Sequence, residues 1–312
     1  MSAKTKKRTK MTKREWRFTL YGLLFASPWI VGFLCFQLYP MLCAVWYSLT
    51  DYNIFGSPTF VGLKNFVDIA NDTIVPLSIK NTAFMSFIGM PIGIVVALLV
   101  ALLLNQKIKG MPFFRTIYYL PTVVPVVASA MLFMWILNSE YGLINVALKA
   151  IGLKGPAWLS DPAYTKWSLI MMDTWRCGQS IIVLLAALKA VPREFYEAAS
   201  IDGAVGIKSF WRITLPCISP TLQFLFIMGL ISSFQYFTQA YVFASVSGMD
   251  QSIGGGPGNS LMFYSLYLYK NAFVYMKMGY ASAMAIVLFV LVMICSFVTL
   301  YITEKRVNYD NE

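Results

Sequence analysis

The chain has 312 residues, 58% of them hydrophobic and only 12% charged, with 25 Lys and Arg against 14 Asp and Glu and a formal net charge of +11. Soluble domains carry about 25% charged residues, so this is the composition of a membrane protein. Histidine is absent, which removes the commonest general base and metal ligand, and the five cysteines follow neither a disulfide nor a zinc spacing, so neither catalysis nor a metal site is expected.

Eight of the basic residues precede residue 18, in MSAKTKKRTKMTKREWR. A basic arm ahead of an apolar run is an orientation signal rather than a nucleic-acid site. The run that follows, 18–49, holds no charge. It is far longer than a signal-peptide core of roughly 7 to 15 residues and is expected to stay attached as the first transmembrane helix.

Five further apolar runs lie within 82–104, 116–137, 167–188, 221–246 and 278–302, each near the roughly 20 helical residues that cross a bilayer. The expected fold is all-α: a polytopic membrane protein with six transmembrane helices. Its parts are a cytoplasmic basic arm (1–17), the first helix (18–49), a five-helix domain (78–302) containing a loop at 191–220, and a cytoplasmic tail (303–312). Pro28, Pro40, Pro91, Pro121 and Pro125 fall in or near these runs and predict kinked helices. The cysteines Cys35, Cys43, Cys177, Cys217 and Cys295, mostly in or beside the runs, read as small buried residues.

With the N-terminus inside, the cytoplasmic segments hold seventeen Lys and Arg and the external ones seven, the bias of a protein whose two termini are cytoplasmic. The external segments, near 50–80, 138–166 and 247–276, read as short caps. GGGPGN, at 254–259, lacks the Lys-Ser/Thr sequel of a phosphate loop and reads as a flexible cap over the pathway.

Polar residues inside the runs narrow the search for a pathway. Asp173 and Arg176 are three apart, hence on one helical face, and are expected to pair, either as a structural ion pair or as part of a gate. Ser232, Gln235 and Gln239, with Tyr236 beside them, form a stripe suited either to sugar hydroxyls or to hydrogen bonding between helices. Gly279 with Ala283, and Ala281 with Ala285, suit close helix packing.

The loop EAASIDGAVGIKSFWRITLP, Glu197 to Pro216, is the most informative segment. Pro192 suits the first turn of a short helix, REFYEAASID continues it, and Gly203 stops it. A second short helix through VGIKSFWRI ends at Pro216 and Pro220. Two short helices at a bend lie at the membrane surface, and Ala198 and Ala199 leave the first free to enter a groove on another protein. Periodicity alone equally allows a surface helix that merely connects two spans.

The spacing goes further, because Glu197-Ala198-Ala199, Gly203, Ile213 and Leu215-Pro216 fit EAA-x3-G-x9-I-x-LP. This resembles the cytoplasmic loop of membrane subunits of binding-protein-dependent ABC importers. YPMLCAVWYSLTDYN, FVGLKNF, FFRTIYYLPTVVP, DGAVGIKSFWRITLP and LYKNAFVYMKMGYASAMA are similar to the carbohydrate branch, to the first permease subunit of maltose-type systems. The resemblance implies a type I ABC importer permease fold in a bacterial cell membrane. It implies that Glu197, Ala198, Ala199, Asp202, Gly203, Ala204, Leu215 and Pro216 couple the chain to an ATPase, with Glu197 facing a basic group. The implied partners are two copies of a cytoplasmic ABC ATPase, which hold the ATP and Mg, a second permease, an external or periplasmic substrate-binding protein, and membrane lipid. No nucleic acid is implied, and no cofactor on this chain. The rival is a secondary transporter driven by an ion gradient, which needs no docking loop.

Overall fold

The computed structural model describes residues 12–106, 109–246 and 254–304. Most of the basic arm and of the tail, and the part of the third external segment before Gly254, lie outside them. The regular structure of the described residues is helical apart from one short hairpin, β1 (Thr50–Asp51) and β2 (Thr59–Phe60), antiparallel with Thr50 opposite Phe60.

Three helices are long and apolar enough to cross a membrane unbroken: α1 (Trp16–Ser48), α3 (Ile74–Leu104) and the last, Met278–Glu304. The others come as pairs, each bent where the chain breaks for a few residues. These are α4 (Met111–Val123) with α5 (Val126–Ile136), bent by 100°; α7 (Pro162–Trp175) with α8 (Gly178–Ala190), by 50°; and α10 (Ile207–Cys217) with α11 (Ser219–Phe234), by 66°. Short helices complete the chain: α2 (Lys64–Asn71), α6 (Leu143–Ala150), α9 (Arg193–Ile201), α12 (Thr238–Val246) and α13 (Tyr264–Phe273), with Met278–Glu304 as α14.

Proline sets several of these irregularities. Leu34–Leu38, Met85–Gly89 and Phe210–Thr214 are widened, π-type turns, and Pro40, Pro91 and Pro216 each follow two residues beyond. A proline ring clashes with the carbonyl four residues earlier and offers no N–H, so widening the turn relieves both faults without ending the helix. At Pro125 the helix stops instead, and Pro28 and Pro121 sit within continuous helix.

Two hydrophobic cores stabilise the fold. The larger joins Leu137, Leu169, Met172, Phe243, Phe263 and Tyr264 with neighbours from α2, α3, α5, α7 and α14. A smaller one lies at the end of the molecule that carries the loop, where Ala97 and Ala101 on α3 admit Ile181, Leu184 and Leu188 of α8 at close range. By contrast, none of the apolar window of α1 is buried within the chain. The far end of α1 docks on α14, and just beyond it, at β1, the Gly279 N–H donates to Tyr52 O at 3.0 Å and a Cβ would overlap the Thr50 carbonyl.

Two expectations need correction. The segment at 254–259 is no flexible cap: Asn81 Nδ2 donates to the carbonyls of Asn259 (2.9 Å) and Met262 (3.1 Å), the Thr165 and Ser260 hydroxyls bond at 2.7 Å, and Pro257 is buried. Nor are the cysteines core residues, since Cys35 is exposed and the other four are half-buried. Cys177, in the break between α7 and α8, packs against the edge of the smaller core.

Candidate functional site

The loop is built as the spacing predicts, with a sharper bend. Pro192 sits one position before α9 in extended conformation, as its N-cap. At the far end Gly203 takes φ 70°, its N–H donates to Ser200 O at 3.2 Å, and the Ala204 N–H reaches back to Ala199 O at 2.8 Å. These are the two bonds of a Schellman motif, with Gly203 at the left-handed position that a Cβ disfavours. The six-residue interval from Glu197 to Gly203 therefore places the EAA triplet in the last two turns of α9 and the bend just beyond it. Glu197, Ala198 and Asp202 are exposed, Ala199 is half-buried, and Ala204 is buried beneath the turn. Leu215 and Pro216, half-buried, close α10 against the start of α11.

Sequence reasoning missed two features of this loop. Gly206 is a second bend (φ 60°, ψ −126°), a conformation open essentially to glycine, and the repeat of Gly after three residues in DGAVG was its signal. The other is a row of apolar side chains turned to solvent: Ile201 is 87% exposed, Ile207 79% and Trp211 62%, with Val205 between them. Large apolar groups concentrated on a polar loop mark an interaction surface. Only the folded bend gathers them, because they share no single helical face.

The second site lies between the two cores. A cavity of about 260 Å³ is lined by Gly89 and Gly93 of α3, Asp173 of α7, Gly229, Ser232 and Ser233 of α11, and Tyr236 and Gln239 beyond it. The fifth apolar run is not one continuous helix: it breaks between Phe234 and Thr238. That break splits the expected stripe. Ser232, Tyr236 and Gln239 face the cavity, whereas Gln235 caps α11 and is exposed, outside the cavity lining. The buried Tyr236 hydroxyl donates to Asp173 Oδ2 at 2.8 Å.

Asp173 and Arg176 are not bonded to each other, contrary to the expected pair. Arg176 ends α7, and its Nη1 donates to Val124 O at 2.8 Å and to Ser129 Oγ at 2.6 Å. In return Thr122 Oγ1 donates to Arg176 O at 3.3 Å. The two broken spans thus satisfy each other's freed backbone groups where they meet, a condition for non-helical chain at membrane depth. Arg176 is committed to the break and Asp173 to the cavity. Gly178 lets the two breaks approach, since a Cβ there would press on Tyr118 O and Thr122 Oγ1.

Residues 89–309 match the model of the family described as binding-protein-dependent transport system inner membrane component. The chain belongs to that family.

Full-length relatives agree. The chain is 36% identical over 296 residues to the probable ABC transporter permease protein YesP of Bacillus subtilis (strain 168), covering 94% of this chain and 93% of that one. It is 34% identical to the lactose transport system permease protein LacF of Rhizobium radiobacter (93% and 96% covered). The trehalose/maltose transport system permease protein MalF of Thermococcus litoralis shares 31% (96% and 98%). Among solved structures, a chain of a bacterial alginate ABC transporter, crystallised with an alginate pentasaccharide-bound periplasmic protein, superposes with a TM-score of 0.78 at 26% identity, covering 94% and 96%. The chain is accordingly a multi-pass membrane permease and a transport component, and the gradient-driven alternative is set aside.

Proposed function

We propose that this permease moves a sugar or short oligosaccharide across a bacterial cell membrane, driven by a separate ATPase that docks on the loop at 191–220. The observation that carries this reading is the exposed apolar row Ile201, Val205, Ile207 and Trp211 on a doubly bent, glycine-hinged loop. The loop faces the cytoplasm, with both termini. The working assembly contains a second permease, two ATPase copies that hold the ATP and Mg, and an external substrate-binding protein. This chain binds no cofactor.

The geometry offers a route from loop to cavity. Tyr196 on α9 and Thr214 on α10 share a hydrogen bond of 3.0 Å, so the two short helices move together. From α10 the chain turns directly into α11, whose Gly229, Ser232 and Ser233 line the cavity. Displacing the loop tilts α11, while its anchor to α14, the Gln223–Thr303 hydrogen bond of 2.6 Å, serves as a pivot. The breaks at 124–125, 176–177 and 235–237 are where the spans can change angle without breaking helical hydrogen bonds.

The cavity suits a neutral polyhydroxyl ligand. Hydroxyls and an amide offer donors and acceptors, Tyr236 offers an aromatic ring, and of the described lining residues only Asp173 is of a charged type. A carboxylate at membrane depth accepts hydrogen bonds from sugar hydroxyls and repels an acidic sugar. The lactose and trehalose/maltose relatives agree with this class. In liposomes holding the assembled importer, binding protein loaded with a neutral sugar should stimulate ATP hydrolysis and uptake. Replacing Trp211 with Asp should abolish both, and Gln239→Leu should reduce uptake while basal hydrolysis persists. Transport without ATP, or full activity in Trp211→Asp, would refute the reading.

A further inference from the structure

A second cavity, about 530 Å³, opens beside the start of α9, where α3 and α8 end and α4 and α9 begin. Its lining carries three cations, Arg115, Lys189 and Arg193, with Asn105, Gln106 and Tyr196, and, among the described residues, no acidic side chain. Met111 and Leu188, members of the smaller core, line it as well. The Arg115 Nη2 donates to Leu104 O at 3.2 Å, but its Nε is buried and has no acceptor among the described residues. A half-bonded guanidinium beside two further cations lacks a compact anion, and the planar fork of Arg matches phosphate oxygens. On the same two helices, α3 and α4, Leu103, Phe114 and Ile117 are exposed and apolar.

We propose that this pocket holds the phosphate of an anionic phospholipid from the cytoplasmic leaflet, its acyl chains lying along Leu103, Phe114 and Ile117. The inference rests on the orientation given above, which puts the ends of α3 and α8 at the inner membrane surface. A basic pocket between helices at that surface is a known form of lipid-headgroup recognition. The exposed apolar residues that α3 and α4 carry near these ends favour a lipid over free phosphate, which has no use for them. Occupancy has a mechanical consequence, because Arg193 and Tyr196 belong to α9 and Tyr196 is bonded to Thr214. A headgroup shared among Arg115, Lys189 and Arg193 ties the coupling helix to α4 and α8 and holds it in the stance that the ATPase meets.

The test uses the assembled importer with its ATPases, in nanodiscs of phosphatidylcholine with or without phosphatidylglycerol. Native mass spectrometry should find phosphatidylglycerol retained on the wild type in preference to phosphatidylcholine. Each basic side chain near the surface strengthens binding roughly fivefold, so Arg115→Gln with Lys189→Gln should weaken that preference about 30-fold. Lys189 is exposed, so Lys189→Gln alone tests the site without risk to folding; it should lose about fivefold, and Lys189→Arg should restore it. Sugar-stimulated hydrolysis should rise with phosphatidylglycerol in the wild type and not in the double variant. No lipid preference in the wild type, or unchanged retention in Lys189→Gln, would overturn the proposal. So would stabilisation of lipid-stripped complex by inorganic phosphate to the same extent as by phosphatidylglycerol, which would mark a free-anion site, or a pocket shielded by the ATPase whatever the lipid. Sugar-stimulated hydrolysis in phosphatidylcholine alone reports on the importer reading separately, so the two can fail independently.

Discussion

Replacing Gly203 tests the bend of the loop with little interference from packing. A Cβ built there meets no heavy atom within 4 Å, so the penalty is one of backbone conformation alone. Holding a residue with a side chain at φ 70° costs about 1–2 kcal/mol. Leaving that conformation instead gives up the bonds to Ser200 O and Ala199 O, about 0.5–1.5 kcal/mol each. Either way the native turn loses between about 1 and 3 kcal/mol, and one to two of these already shift its population roughly 5- to 30-fold. Valine should suffer most, because its β-branch is least tolerant of the left-handed region, alanine less, and asparagine least. The assay is sugar uptake per ATP hydrolysed in the assembled importer, together with the amount of ATPase that co-purifies. Gly203→Val should insert normally yet lose fivefold or more in coupling, and Gly203→Asn should recover most of it. Equal coupling in Gly203→Val and wild type, or Asn no better than Val, would refute the argument that left-handed geometry is what this position supplies.

Single cysteines at Ile201 and Trp211, both exposed, should cross-link to the ATPase in a nucleotide-dependent way, whereas Ala204→Cys, beneath the turn, should react poorly even with small thiol reagents. Tyr236→Phe removes a donor to Asp173 and should lower the stability of the complex by about 1.5–3 kcal/mol, the worth of a hydrogen bond to a charged group; adding Asp173→Leu should return part of it. Burial pushes the Asp72 carboxyl up, but hydrogen bonds from Tyr267 (2.6 Å), Tyr280 (2.7 Å) and the Ile74 and Val75 amides outweigh it and hold the group below its ordinary value. A depressed carboxylate contributes stability above its unfolded pKa, about 3.9, that is lost as pH falls through the lowered folded value. The difference in Tm between wild type and Asp72→Asn should therefore be constant above about pH 5 and shrink in more acidic buffer. Gly279→Ala should destabilise by about 1–3 kcal/mol by thermal denaturation, because its methyl group meets the fixed backbone of Thr50.

Much of this molecule is local and was therefore legible in the chain. Apolar length marks membrane helices because about 20 residues must cover the hydrocarbon whatever lies beside them. Pro40, Pro91 and Pro216 announce disturbed turns, since the missing N–H belongs to the residue itself. Gly203 announces the bend because a left-handed residue beyond the last helical turn is a short-range requirement. Tertiary structure decided which polar group meets which. Arg176 finds Ser129 across 47 residues and Tyr236 finds Asp173 across 63, and no spacing within one helix encodes partners that distant. The break at Trp175–Gly178 holds no proline; its Arg176 carbonyl is satisfied by Thr122 of the neighbouring broken span, and the Arg176 side chain satisfies Val124 O in return. Likewise Gln235 turns outward and Tyr236 inward only because the fifth run breaks between them and α12, and the apolar row from Ile201 to Trp211 forms only once two glycines fold the loop. Hydrophobic length and glycine conformation are properties of neighbouring residues, whereas the partner of a buried polar group exists only after the helices have come together.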